Sequence, residues 1–258
     1  MEVIKTKRTE RRFERVFIYS NEGLGKSTLA ASAPKPIFID IEDGLSEIDT
    51  SSFGICSTFD MVMEQLRYLY KTKTEFETIV IDSIDACERL MYKKVCQEHN
   101  IQSISDIPYG GGFSKAAEKL NSLVAAFDAI RKNQNMRIII LGHSQIKTVQ
   151  NLLGNDYDSY MPNIRDKHCD LLKAWCDIVG YLHTKTYTDI SKGSFGKDII
   201  KQSGGNERIF SCATNVCFAS KNRYGIIEDI DIPRINGYDM ITKAIEDSRN
   251  INNIENNE

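Results

Sequence analysis

The sequence predicts an α/β fold, a mostly parallel central sheet flanked by helices that passes into a β-rich C-terminal part. Three observations carry that expectation. Apolar runs of strand length, Val16-Phe17-Ile18-Tyr19, Pro36 to Ile41, Thr78 to Asp82 and Met136 to Gly142, alternate with segments of helical periodicity, as buried parallel strands and their crossover helices do. The first run leads directly into the glycine-rich segment Ser20-Asn21-Glu22-Gly23-Leu24-Gly25-Lys26-Ser27-Thr28. The chemically interesting polar residues, Ser20 to Thr28, Glu42, Asp82 and His143, all follow such runs, where open α/β sheets place their ligands.

Along the chain, Ser27 to Ala33 reads as a short helix that Pro34 stops. The strand Pro36 to Ile41 ends in Glu42-Asp43-Gly44, and Phe53-Gly54-Ile55-Cys56 is a further short strand. Apolar residues at Met61, Met63, Leu66, Leu69 and Tyr70 make Met61 to Lys71 helical. Thr78 to Asp82 is a buried strand, and Ile84 to Glu98 a helix. Pro108-Tyr109-Gly110-Gly111-Gly112-Phe113 is expected to lie outside regular structure, before a long helix from Ser114 to Lys132. Residues 148 to 168, rich in Asn, Asp and Tyr, are expected as a mobile loop, with a helix from Asp170 to Trp175. Strands are expected at Ile178 to Thr188, Arg208 to Ala213 and Val216 to Ala219, with Gly193 and Gly204-Gly205 between them. The Asn- and Glu-rich end, Arg249 to Glu258, is expected to be disordered.

At 258 residues, 41% hydrophobic and 27% charged, the chain suits one large domain with ample core. A net charge of −3 excludes a surface that binds polyanions as a whole. Lys5, Lys7, Arg8, Arg11, Arg12 and Arg15 nevertheless form a basic arm over residues 1–14 and its junction, either solvated or in contact with nucleic acid or an acidic partner. The seven cysteines contain no C-x-x-C pair. The spacing of His168-Cys169, Cys176, His183, Cys212 and Cys217 matches no zinc pattern, so buried free thiols in a reducing compartment are expected. The charged N-terminus reads as no signal peptide and no apolar run reaches the roughly 20 residues of a membrane span, so a cytoplasmic protein without a membrane partner is expected.

The segment from Ser20 to Thr28 has the layout of a phosphate-binding loop, with Ser20 where the pattern expects its first glycine. Lys26 would reach the β- and γ-phosphates of ATP, and the Ser27 hydroxyl would coordinate Mg²⁺. Asp82 closes its apolar strand as a Walker B carboxylate does and would hold the same Mg²⁺; the alternative is a helix N-cap. Glu42 either polarises an attacking water or is an ordinary solubilising group, and His143 either donates to the γ-phosphate or is a structural histidine. Lys221-Asn222-Arg223 lies in a turn, suited to an arginine finger or to solvated surface charge.

Together these segments resemble the RecA-like P-loop ATPases, most closely the phage RecA-like, AAA-type ATP-binding proteins of the Sak single-strand annealing group. The likeness covers residues 13 to 235 in order: the loop through Thr28, Ala31 to Asp40 with Glu42, Thr78 to Ser83, Tyr109 to Phe113, Ile139 to Lys147, Cys176 to Val179 and Lys221 to Gly225. It implies a RecA-like ATPase domain over residues 15–235 and a C-terminal tail over 236–258. It further implies assembly into rings or filaments with ATP between subunits, Glu42 as catalytic glutamate, His143 as sensor, and Lys221 and Arg223 reaching a neighbour's γ-phosphate. Family members are linked to single-stranded DNA, annealing and recombination in phage replication, so single-stranded DNA and a single-strand binding protein are the implied partners, and a bacterial host's cytoplasm the implied setting. A helicase- or loader-type motor and a nucleotide-gated assembly with negligible turnover are the alternatives. The chain departs from the pattern at Ser20 and at Gly111, where a basic residue is expected. Tyr157 and Tyr160 either stack on bases or pack internally.

Overall fold

In the computed structural model, which describes residues 12–151, 154–192 and 198–255, the apolar runs form the strands at the centre of one sheet. The elements are β1 (Arg15–Ser20), α1 (Lys26–Ala31), β2 (Pro36–Asp40), β3 (Ser51–Ile55), α2 (Phe59–Lys71), β4 (Thr78–Asp82) and α3 (Ile84–His99). Two 3₁₀ turns, Ile104–Asp106 and Pro108–Gly110, lead to α4 (Gly111–Gln134), β5 (Arg137–Val149), β6 (Tyr157–Pro162) and α5 (Asp166–Trp175). The chain ends in β7 (Ile178–Lys192), β8 (Asp198–Ser211), β9 (Lys221–Asn222), β10 (Ile230–Ile232) and α6 (Gly237–Glu255). Lys5, Lys7, Arg8 and Arg11 of the basic arm, Gly193, and residues 256–258 lie outside the described residues.

The strand order is β10-β8-β7-β1-β5-β4-β2-β3. From β7 to β3 every neighbouring pair is parallel, whereas β8 and β10 are antiparallel, which is the β-rich C-terminal part. The fold is thus an α/β RecA-like P-loop fold. One feature of its order positions the site: β5 lies between β1 and β4, so Ser20 is in register with His143.

Alternation along β1 divides the core. Phe17 and Tyr19 face the cluster made with α2, α3, α4 and α5, and Val16 and Ile18 face the cluster made with α1 and α6. Helix α2 starts where Thr58 accepts the Met61 amide, and it buries Phe59, Val62, Leu66 and Leu69 on one stripe. Each such fully buried side chain contributes about 1.5–3 kcal/mol. Ser83 caps α3 in the same way, so the end of β4 passes into a helix within one residue.

Several local expectations are corrected. Gly204-Gly205 lies not between strands but within β8, with Gly204 opposite Thr186. Residues 148 to 168 are not a loop: β5 runs past the sheet and pairs antiparallel with β6 from Ser144↔Pro162 to Val149↔Tyr157, a protruding hairpin. One face of it, with Ile146, Thr148 and Asp158, is exposed, while Ser159 on the other is buried. Gly111, Gly112 and Phe113 open α4, where a Cβ on Gly112 would lie 2.1 Å from the Ile104 carbonyl oxygen; glycine here serves close packing. Val216 to Ala219 forms no strand, only a bridge between Phe218 and Tyr160. The segment from Arg249 is helical as far as Glu255, since Tyr238, Ile241 and Ile245 anchor α6 in the core. No described helix is long and apolar enough to cross a membrane. The cysteines are free, with Cys217 exposed and Cys96 half-buried, unlike the five buried ones.

Candidate nucleotide-binding site

The glycine-rich segment leaves β1 at Ser20 and turns into α1 at Lys26. Gly23 and Gly25 adopt φ of 75° and 79°, a left-handed conformation that excludes most other residues. A Cβ on Gly23 would meet nothing within 4 Å, so this side of the loop is open to a ligand. Ser20 has no such conformation. It is the buried last residue of β1, its hydroxyl donates to the Asn21 carbonyl at 2.7 Å, and the glycine expected there is not required by the backbone. The Glu22, Leu24 and Thr28 positions complete the loop and the first turn of α1.

Lys26 is 7% exposed and donates to the Asn21 carbonyl at 3.3 Å. Burial lowers its pKa, against the charges of Asp82, Asp85 and Glu42. The Ser27 hydroxyl donates to Asp82 Oδ2 at 2.5 Å. This pair brings two hard oxygen donors together beside the loop, a set that suits Mg²⁺ held by one carboxylate, a hydroxyl and substrate phosphates. Burial raises the Asp82 pKa; the Ser27 bond and Lys26 work the other way. Glu42 follows the turn that Asp40 builds by accepting the Glu42 and Asp43 amides at 3.2 and 3.0 Å. Its carboxylate accepts from Ser83 Oγ at 2.6 Å, next to Asp82.

His143 joins this group from β5. Its ring Nδ1 is 3.1 Å from Asp85 and 3.7 Å from Glu42. Arg89 lies 3.3 Å from Asp85 and 3.6 Å from Glu42. A cavity of about 910 Å³ opens among Asn21, Glu22, Glu42, Asp85, Arg89 and His143. Lys26, Ser27, Glu42, Asp82 and His143 therefore converge at the carboxyl ends of β1, β2 and β4, beside the point where β5 leaves β1.

Lys221 and Arg223 do not converge there. β9 pairs with the first residues of β7, Ile178↔Asn222 and Val179↔Lys221, and Ile178 is in register with Val16 at the opposite end of β1. Four residues of strand, about 13 Å, separate that level from Ser20. Lys221 Nζ donates to the Lys173 and Ala174 carbonyls at 2.6 and 2.7 Å. Arg223 donates to Ala174 O at 2.9 Å and to Asp177 at 3.0 Å. Neither reaches the phosphate loop of its own chain.

Asp85, Arg89, Ser144 and Arg208 belong to the site although the sequence did not single them out. An acidic residue in the first turn of a helix reads as an ordinary dipole partner, which hid Asp85. Ser144 donates to the Asn21 side chain at 2.5 Å. Arg208 comes from β8, too far along the chain for spacing to signal it, and donates to the Leu24 and Gly25 carbonyls at 3.3 and 3.4 Å. In the hairpin, Tyr160 stacks on Tyr181 with ring centroids 4.8 Å apart, so its ring packs internally.

Comparison with known proteins agrees with this geometry. A family model described as an AAA domain matches residues 12–224. An SPbeta prophage-derived uncharacterized protein of Bacillus subtilis (strain 168), YorG, is 29% identical over 107 residues, which cover 40% of this chain. The match spans 33% of that protein's own length.

Proposed function

This chain belongs to the AAA domain family, and on that premise we propose that it is an ATPase of the RecA-like, Sak-type group acting on single-stranded DNA in phage-type recombination, annealing or replication. The observation that carries the nucleotide reading is the Ser27–Asp82 contact beside a phosphate loop open at Gly23, with Glu42 next to it. Lys26 binds the β- and γ-phosphates. Ser27 and Asp82 hold Mg²⁺, which neutralises phosphate charge when bound. Glu42 orients and deprotonates the attacking water, and His143 donates to the γ-phosphate.

Assembly into a ring or filament puts ATP between subunits, with Arg223 and Lys221 of one copy serving the site of the next. Their position at the amino end of the sheet supports action on a neighbour rather than on their own nucleotide. Mixing Lys26→Ala protein with Arg223→Ala protein then restores hydrolysis; mixtures as inactive as either variant would refute the shared site.

Two features support the nucleic-acid reading. β5 runs unbroken from His143 into the protruding hairpin, so a change at the γ-phosphate has a direct route outward. Tyr109 is fully exposed in the 3₁₀ turn that precedes α4, whose Phe113 lies under Arg165 at 3.9 Å, just beyond β6. An exposed ring of this kind suits base stacking. The prophage origin in the relative's name supports the phage setting. The test is ATP turnover with and without single-stranded DNA. Turnover rises with DNA, DNA binding weakens as salt rises, and Lys26→Ala abolishes the turnover. Turnover and affinity indifferent to DNA would sink the nucleic-acid part, and strand displacement without annealing would favour a motor. A nucleotide-gated assembly is the second reading, favoured by the engagement of Glu42 with Ser83 and Arg89.

A further inference from the structure

Given the reading of this end as a nucleotide site, we propose that Asp85 is the positioning residue of His143, holding its main chain and its ring with one carboxylate so that Nε2 is presented to the bound nucleotide. Oδ1 accepts the His143 backbone amide at 3.1 Å, and Oδ2 lies 3.1 Å from the ring Nδ1. Two contacts from one side chain fix both the backbone of β5 at His143, where the strand leaves β1, and the rotation of the ring. Asp85 is itself 4% exposed and sits in the first turn of α3, which Ser83 caps, so the hold is anchored on a rigid element. With Nδ1 engaged, Nε2 is the ring atom left for a ligand, and among the described residues it has no hydrogen-bond partner. The imidazole borders the cavity beside the phosphate loop.

The surrounding charges set the protonation state. Facing His143 are Asp85 and Arg89 from α3, Glu42 from the turn after β2, and Lys26 from the phosphate loop. The Asp85 hydrogen bond raises the imidazole pKa, outweighing burial and the repulsion of Lys26. Burial pushes Asp85 the other way, yet the His143 bonds hold its carboxyl down to about 2. Asp85 is therefore a carboxylate throughout the working range, and it favours an imidazolium whose Nε2–H donates to an anion. Loss of the terminal phosphate leaves that donor without an acceptor, and because His143 lies on β5 the change reaches the hairpin. Asp85 itself touches no substrate.

Asp85→Asn tests this, since it keeps the shape and removes the charge. Two readouts on the full chain separate the claim from the reading it rests on. In an NMR titration of the four histidines, with His143 assigned through His143→Gln, Asp85→Asn lowers the His143 pKa by about one unit or more. In the pH profile of ATP hydrolysis, the alkaline fall of kcat moves down by the same interval while KM stays within about twofold. The double variant Asp85→Asn/His143→Gln is no slower than His143→Gln alone, because the aspartate acts through the histidine. An unchanged His143 titration, or a loss of kcat that is constant with pH, would overturn the proposal. A wild-type chain that neither binds nor hydrolyses Mg·ATP would overturn the nucleotide reading instead, and the titration would still decide whether Asp85 holds His143. Should Asp85→Asn fail to fold, Asp85→Glu keeps the charge and displaces it by one methylene. It is expected to lower kcat with the alkaline limb in place, and an unaltered kcat would count against the positioning role.

Discussion

The two ends of the parallel sheet are built from the same residue types and arranged to opposite purposes. At the amino end, Arg137 donates to Glu14, which also accepts from Tyr238 at 3.2 Å, and the guanidinium lies over the rings of Phe13 and Tyr238. Beside it, Asp177 is shared by Arg15, Arg131 and Arg223. Every carboxylate in these two groups has its cation, and the groups lock β1, β5, β7 and α6 together. At the carboxyl end, Asp40, Glu42, Asp82 and Asp85 gather around Lys26, Arg89 and His143 with room beside them. Charge that is fully paired braces a fold. Charge gathered around an open loop is arranged for a ligand that brings phosphates and a metal.

Arg137→Ala gives the largest expected effect that sharpens this comparison. It strands Glu14 in the core and should cost about 3–5 kcal/mol of stability in denaturant unfolding, with ATP affinity retained at the opposite end. A mild loss of stability would mean that the amino-end ion pair is not a brace. Glu42→Gln should be the mirror image, with folding intact and kcat lower by about 10² to 10⁴, provided Glu42 handles the water's proton. Equal kcat in the variant would remove Glu42 from the chemistry. Tyr109→Ala should weaken single-stranded DNA binding by about 1–3 kcal/mol without altering hydrolysis in the absence of DNA. An affinity equal to wild type would take the ring out of the interface.

The pH dependence follows from the same contrast. Burial alone would raise the Asp177 pKa, but the hydrogen bonds and charges of Arg15 and the charge of Arg131 leave it below the usual carboxylate range. The stability it supplies is therefore present above the unfolded value of about 4 and is lost as pH falls below it. Asp177→Asn should flatten the acid limb of the stability curve in that window; an unchanged limb would show that the arginines do not depress it. The smallest effect belongs to Ser20→Gly. Because Ser20 already has an ordinary strand conformation, its replacement should leave ATP affinity within about twofold, and a large gain would mean that the serine obstructs the loop.

Legibility in the sequence followed how local the cause of each feature is. The strands β1, β4 and the start of β5 announce themselves because burial on both faces demands an unbroken apolar run. The phosphate loop is equally visible, since its chemistry lies in nine consecutive residues. The β5–β6 hairpin was hidden because the Asn- and Asp-rich residues at and around its tip interrupt any apolar alternation. Helix α6 was hidden by its Asn-rich end, although Tyr238, Ile241 and Ile245 carry a helical spacing. Asp85 and Arg208 become meaningful only when distant segments meet, at His143 and at Gly25. For Lys221 and Arg223 a turn was expected, but Lys221 lies in the short strand β9, at an end of the sheet that the sequence does not reveal.

The most direct test of the division between the two ends is equilibrium binding of Mg·ATP to wild-type and Lys26→Ala protein, with thermal unfolding measured on both. Loss of about 100-fold or more in affinity, with a melting temperature within a few degrees of wild type, is the expected result. Equal affinity for Mg·ATP in the two proteins would contradict the assignment of the carboxyl end as the nucleotide site.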